Sequence, residues 1–181
     1  MASITKQTTY FSQPGPENTD MAIKLAVGRA KEGDIKKVVV ASSSGDTGIK
    51  AINAFKGMAE VVPVVLSAGS KWSGGKEWQE NKAQYEKRGV KYVKGIQAFS
   101  GVERAINERW GTVGPVMLIS DALRLPCEGF KVAVEIVLMA CDAGFVDPGE
   151  NVLAIAGTSR GADTVLVVRA AYSHKFFDIG V

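Results

Sequence analysis

Two short stretches of the 181-residue chain carry residue types suited to holding an anion. The first is Ser42-Ser43-Ser44-Gly45-Asp46-Thr47-Gly48, which follows a β-branched run and leads into an apolar stripe at helical spacing. Small hydroxyl residues leave backbone N–H groups accessible, a glycine admits a ligand close to the main chain, and a helix N-terminus adds positive potential, so the combination suits a phosphate. A plain helix cap would account for Ser44 or Asp46 alone. The run of hydroxyl and glycine positions exceeds that need, and the loop is read as a ligand cradle. The second stretch is Gly157-Thr158-Ser159-Arg160-Gly161-Ala162-Asp163-Thr164. Gly157-x-Ser159-x-Gly161 has the spacing of a hydrolase nucleophile elbow, with Asp163 and His174 following in the order Ser, Asp, His. An elbow must open a helix, however, whereas Thr164 to Val168 is β-branched and strand-like, so binding is the better reading. Gly157 and Gly161 permit tight turns, Thr158 and Ser159 offer donors, and Arg160 can pair with a phosphate or lie on a ring.

Other chemistry has little to stand on. No G-x-G-x-x-G occurs, and Gly69 to Lys76 fails the spacing of a phosphate-binding P-loop. Trp72 and Trp78, in a glycine-rich stretch after the second strand, are read as core cover before ligand platforms. Arg104 is a candidate helper for an anion, while Ser100 and Glu103 fit a capping box. Cys127 and Cys141 are too few for a disulfide framework, are read as buried thiols, and with the single His174 supply no metal-ligand set.

The elements that must position these loops follow from period and punctuation. Short apolar strands are expected at Lys37 to Ala41, Val61 to Leu66, Val90 to Lys94, Val152 to Ala156 and Thr164 to Val168. Between them run helical patterns: Asn18 or Thr19 to about Gly33, Ile49 to Gly57, Glu77 to Arg88, Gly101 to Trp110, Pro115 to Leu125 and Phe130 to Asp142. A strand at Val116 to Ile119 is the alternative for the fifth of these. Fully apolar strands alternating with helices call for a mostly parallel sheet covered on both faces, a three-layer α/β/α sandwich. The step from the fourth strand to the fifth is too short for a helix, so those two should be antiparallel.

Composition sets the outer bounds. Hydrophobic residues make up 46% of the chain and charged residues 23%, values of an ordinary globular domain rather than of a disordered or fibrous chain. A net charge of +3, spread along the sequence, does not call for nucleic acid. No run approaches the ~20 apolar residues of a membrane span, and the first thirty residues have no continuous apolar segment of a secretory signal. One domain in the cytoplasm, with no membrane partner, is the expectation, and homo-oligomer formation is left open.

The residues also resemble a family. Val38 to Gly48 is similar to the strand and effector-phosphate loop of the pyruvate kinase C-terminal domain, with Ser42, Ser44, Gly45 and Thr47 on its hydroxyl, hydroxyl, Gly, hydroxyl places. Ala143 to Glu150, continuing through Val152 to Gly157, resembles that domain's helix end and fourth strand, and Asp163-Thr164 opens its last strand. Pro14 to Thr19, Ser100 to Ala105, Lys131 to Ile136 and Ala156 to Thr164 resemble the stand-alone archaeal and bacterial proteins of this fold, which lack the catalytic barrel. The resemblance implies a five-stranded sheet of order 3-2-1-4-5 with strand five antiparallel, no kinase activity, and bound flavin mononucleotide (FMN). Asp46 departs from the family pattern, standing where the allosteric loop often carries a basic residue. The second loop is also shorter than the one that closes over a sugar bisphosphate, so fructose bisphosphate is not expected. The expectation is a phosphorylated, flavin-like ligand held by residues 42–48, 157–161, 163 and 164. The protein is then a flavin-dependent redox protein or a non-catalytic sensor or carrier of a phosphorylated metabolite.

Overall fold

The structure, a computed structural model, describes residues 5–70 and 73–181. After a 3-10 turn at Pro16–Asn18, the elements in chain order are α1 (Thr19–Ala30), β1 (Lys37–Ala41), α2 (Asp46–Ala54), β2 (Glu60–Val65), α3 (Lys76–Lys87) and β3 (Val93–Lys94). They continue with α4 (Gly101–Trp110), α5 (Pro115–Leu123), α6 (Glu128–Asp142), β4 (Asn151–Ala156) and β5 (Thr164–Arg169). The sheet order is β3-β2-β1-β4-β5, parallel except for the antiparallel β4–β5 pair.

Alternation along β1 explains the layers, because successive strand residues point to opposite faces. Val38 and Val40, with Leu153 and Ile155 of β4, pack under Ala22 and Ala26 of α1, Ala51 of α2 and Phe55 just after it. Val39, with Val152 and Ala154, faces Ala133, Ile136, Val137 and Ala140 of α6. That helix is buried along nearly its whole length, which is why its sequence is apolar almost all round.

Three local expectations are corrected. The third strand is two residues long, not the five from Val90 to Lys94. The amide of Val90 bonds back to the Tyr85 carbonyl (2.9 Å), so this residue leaves the helix end rather than joining the ladder. Pro63 adds a second reason. The bonds Glu60 N to Lys36 O and Ser42 N to Val64 O direct the even-numbered residues of β2 toward β1. Pro63 therefore faces β3, where it has no N–H to give. The capping box at Ser100 does not form: Ser100 makes no side-chain cap bond, and Glu103 Oε1 instead accepts from the amide of Val116 (3.1 Å) at the start of α5. Finally, Cys127 is exposed beside the Thr164 hydroxyl (3.5 Å), whereas Cys141 is buried and desolvation raises its thiol pKa. The alternative strand at Val116 to Ile119 is helix α5.

Among the described residues no helix is long and apolar enough to cross a membrane, and no group of His, Cys, Asp and Glu is arranged to hold a metal.

Candidate site at the carboxyl edge of the sheet

Because β1 and β4 are parallel neighbours, the loops that follow them emerge side by side at one edge. This is where the strand order reverses and where ligands of open α/β sheets sit. Helices that precede or follow parallel strands begin at this same edge, so their N-termini converge on it.

The first loop is pinned from beneath. Ser42 is buried, and its hydroxyl accepts from the amide of Gly48 (2.8 Å) and lies 3.3 Å from the Tyr85 hydroxyl. Gly45 turns the chain with φ 92°, and an ideal Cβ there would come within 2.5 Å of the Asn81 Cβ, so conformation and space both require glycine. Two carbonyls of the turn are drawn away from the crevice: Ser44 O accepts from Asn81 Nδ2 (2.9 Å) and Gly45 O from the Tyr85 hydroxyl (2.7 Å). With the carbonyls held back, the amides of Asp46 and Thr47, which open α2, find no protein acceptor among the described residues. Their orientation is that of an anion-binding nest at a helix start. Ser43 is exposed and Ser44 half-buried beside them, Thr47 is buried at the base, and the Asp46 carboxylate is exposed at the rim.

The residues that do this pinning are a finding of the tertiary structure. Glu77, Asn81 and Tyr85 recur every fourth residue along α3 and so share one face. Tyr85 and Asn81 hold the first loop, and Glu77 accepts a 2.8 Å ion pair from Arg160 of the second. One helix face thus spans both loops. The i, i+4, i+8 spacing was visible in the sequence, but nothing there said what lay opposite it. Burial raises the Tyr85 pKa to about 12, against the opposing hydrogen bond from Ser42, so the phenol stays a neutral donor at neutral pH. The sign of the linkage follows: stability tied to this proton is intact below pH 10.0 and is lost as the pH rises toward about 12.

The second loop folds on Asp163 and Thr19. Asp163 Oδ2 accepts from the amides of Gly15 (3.1 Å) and Thr158 (3.2 Å) and from the Thr158 hydroxyl (2.8 Å), while Oδ1 accepts from the hydroxyl of buried Thr164 (2.9 Å). The Thr19 hydroxyl donates to Pro16 O (2.6 Å) and accepts from the amide of Ala162 (2.9 Å). Gly161 has φ 72° and passes Pro16 so closely that a Cβ would meet its Cα at 2.7 Å. A Cβ on Gly157 would meet Gly161 O at 2.9 Å. Of the predicted ligand groups, then, Ser42, Gly48, Thr158, Asp163 and Thr164 build the loops from within. Ser43, Ser44, Thr47, Ser159, Arg160 and the amides at 46 and 47 are what the crevice presents.

The nucleophile-elbow geometry is not met. Ser159 is exposed in an irregular turn that leads into β5, not into a helix. Because β5 is antiparallel, it carries the chain to the opposite edge before His174, which stacks on Tyr172 there (5.5 Å between ring centroids). Ser159 therefore has no imidazole base, and a fluorophosphonate probe is expected to leave the wild-type protein unlabelled. Stoichiometric labelling that Ser159→Ala abolishes would overturn this. Trp78 is core, edge-on to Tyr85 and Tyr92 at 6.1 and 5.2 Å, and Trp72 lies outside the described residues.

Two hollows lie elsewhere. The larger, about 890 Å³, is at the amino edge between Lys37, Lys56, Glu60, Val90, Gly144 and Phe145. Helix C-termini point there, a setting that disfavours phosphate. The smaller, about 370 Å³, includes Phe99, Arg104, Asn107, Ser120, Arg124 and Lys131. Every cation in it is ion-paired, Arg104 to Glu108, Arg124 to Asp121 and Glu128, and buried Lys131 to Glu135 at 2.6 Å. Arg104 is thus committed to its own helix and does not reach the β1 loop as an anion helper.

Residues 20–168 match the family model of the pyruvate kinase alpha/beta domain. Among solved structures, NH3-dependent NAD synthetase from Campylobacter jejuni is similar at 16% identity and a TM-score of 0.36. The match covers 61% of this chain and 47% of that one, so the chain spans about half the length of the synthetase it matches.

Proposed function

We propose, on the premise that the chain belongs to the pyruvate kinase alpha/beta domain family, that it binds a phosphorylated flavin-like ligand, FMN, in the crevice between the β1 and β4 loops. The observation that carries this reading is the Ser44–Thr47 turn. Its two carbonyls are held back by Asn81 and Tyr85, and its glycine stands where a side chain could not fit. The phosphate takes the amides of Asp46 and Thr47 and the hydroxyls of Ser43 and Ser44. The remainder of the ligand runs along Thr158 to Gly161, where the exposed Arg160 guanidinium, oriented by its ion pair with Glu77, offers a planar face.

When bound, the flavin supplies the electron-transfer chemistry, and the protein binds and orients it. Two of the titratable groups at the site are not free for proton transfer at neutral pH. Asp163 is committed to four hydrogen bonds, and Tyr85 is held neutral beneath the loop. That observation also favours a second reading, a sensor or carrier that recognises a phosphorylated metabolite without turnover. Steady-state oxidation of a reduced nicotinamide with an added acceptor separates the two.

The test is reconstitution. Protein purified without added ligand and then denatured should release flavin, seen by its visible absorbance. The refilled protein should bind FMN at least 100-fold more tightly than riboflavin, because two hydrogen bonds to a charged group contribute roughly 3 kcal/mol or more. Equal affinities would remove the phosphate from the β1 loop, and no binding of either would remove flavin. Asp46 refines the prediction, since its carboxylate stands at the rim of the cradle and repels a phosphate. Asp46→Asn should tighten FMN by about three- to tenfold and leave riboflavin unchanged, with the gain shrinking at high salt. A weaker FMN complex in Asp46→Asn would place the carboxylate among the ligand's contacts.

A further inference from the structure

The helix α4 is at odds with the physics of short helices. It has ten residues, none of them buried, and among the described residues no other helix or strand runs closely along it. A helix of that length is marginal in water unless an apolar face is covered. Such a face exists. Val102, Ile106 and Trp110, spaced by four, form one stripe, extended by Val113 just beyond the helix and by Ile96, whose side chain lies against Gly101. Val102 is 73% exposed, Ile96 73% and Trp110 63%. On the other side, Arg104, Asn107 and Glu108 form a wall of the 370 Å³ cavity. The helix turns its polar side to the body of the protein and its apolar side outward.

We infer that a second copy of this chain covers the stripe, with the two α4 helices packed antiparallel about a two-fold axis at Ile106. Three features single out this occupant. The stripe matches itself: Val102 and Trp110 lie four residues to either side of Ile106, so the axis sets Val102 of one copy beside Trp110 of the other. The charges also fit. Glu103, Arg104, Glu108 and Arg109 cancel, unlike the Lys/Arg excess of a helix that lies on a membrane surface. In an antiparallel pair each flank meets its own kind, and the two Arg109 side chains, each over its own Trp110 ring, then sit at opposite ends. Lastly, five large apolar side chains on one stripe are 41–73% exposed, enough to form the apolar core of a standard interface of ~800 Å² per partner, and two-fold dimers are the commonest assembly. Pairing also steadies one wall of the cavity, because within one chain α4 is tied to α5 by the bond from the Val116 amide to Glu103 (3.1 Å).

The full chain should sediment at twice its 19.2 kDa across the micromolar range. Ile106→Glu should give a folded monomer whose far-UV circular dichroism changes by no more than the ten residues of α4, since the side chain supports no core. In the wild type, the amides of residues 102–110 should gain hydrogen-exchange protection as concentration rises, while those of β1 and β4 stay constant. The exchange measurement needs no mutant and stands even if Ile106→Glu fails to fold. A wild type that remains monomeric at high micromolar concentration would overturn the proposal. So would a dimer that survives Ile106→Glu, or one whose α4 amides do not respond to concentration.

Discussion

Gly48→Ala should loosen FMN by more than 100-fold and destabilise the protein by about 1–3 kcal/mol, the usual range for overpacking. Gly48 lies in the first turn of α2 with ordinary helical geometry, so the glycine is required by space. A Cβ there would overlap the Tyr85 hydroxyl and sit 3.0 Å from Ser42 Oγ and 3.1 Å from Tyr85 Cζ. Those two hydroxyls are the base of the cradle. Displacing Tyr85 leaves Gly45 O with only the Ile49 amide (3.1 Å), displacing Ser42 leaves the Gly48 amide without its acceptor, and the turn so loosened carries the amides of Asp46 and Thr47 out of reach of the phosphate. The loss of two hydrogen bonds to a charged group, each about 1.5–3 kcal/mol, sets the expected loss of affinity. A urea titration should show a lower midpoint at unchanged slope, and a flavin titration of the folded variant should show the loss of affinity. Wild-type FMN affinity in folded Gly48→Ala would mean that Tyr85 and Ser42 do not shape the binding surface.

Glu135→Ala should destabilise the fold by about 3–5 kcal/mol, the usual result of stranding one partner of a buried ion pair. Lys131 and Glu135 sit one turn apart on α6 and are both buried, and Glu135 Oε1 also accepts the amide of Phe99 (2.9 Å). Removing the carboxylate orphans an ammonium and a backbone N–H together. This pair joins α6 to the segment after β3, which is otherwise tied to the sheet by only two residues. The double variant Lys131→Met/Glu135→Leu should recover the part of the loss that comes from the stranded ammonium, because apolar residues of similar volume replace a buried pair at little expense, while the unpaired Phe99 amide keeps about 1–3 kcal/mol of it. A loss below about 1 kcal/mol in Glu135→Ala would show that water reaches the lysine.

Neither pairing was legible in advance. Lys131 and Glu135 read as ordinary charges on an apolar helix, and only the packing of α6 between sheet and α5 buries them. The cradle was half legible. Its glycine turn and its place before a helix are local properties of Ser42 to Gly48, and the structure has both. The role of each hydroxyl did not follow, because Ser42 and Ser44 look alike in the sequence, yet one is spent on the Gly48 amide and the other presents itself to the crevice.

What the sequence determined by itself was whatever depends on short-range geometry. The alternation of Val38, Val39 and Val40 requires a strand buried on both faces. Gly157 to Asp163 is too short to hold a helix, which forces β5 to run antiparallel, and that alone carries His174 away from Ser159. The tertiary structure decided everything that needed a partner distant in the chain. Pro63 shortened β3 only because its missing N–H faces that strand, and Glu103 left the Ser100 cap because the amide of Val116 came within reach. Thr19 and Asp163 became the hinge points of the second loop because α1 begins beside it. Residue types and spacing specify what a segment can do, and a hydrogen bond goes to whichever donor the fold brings within about 3 Å.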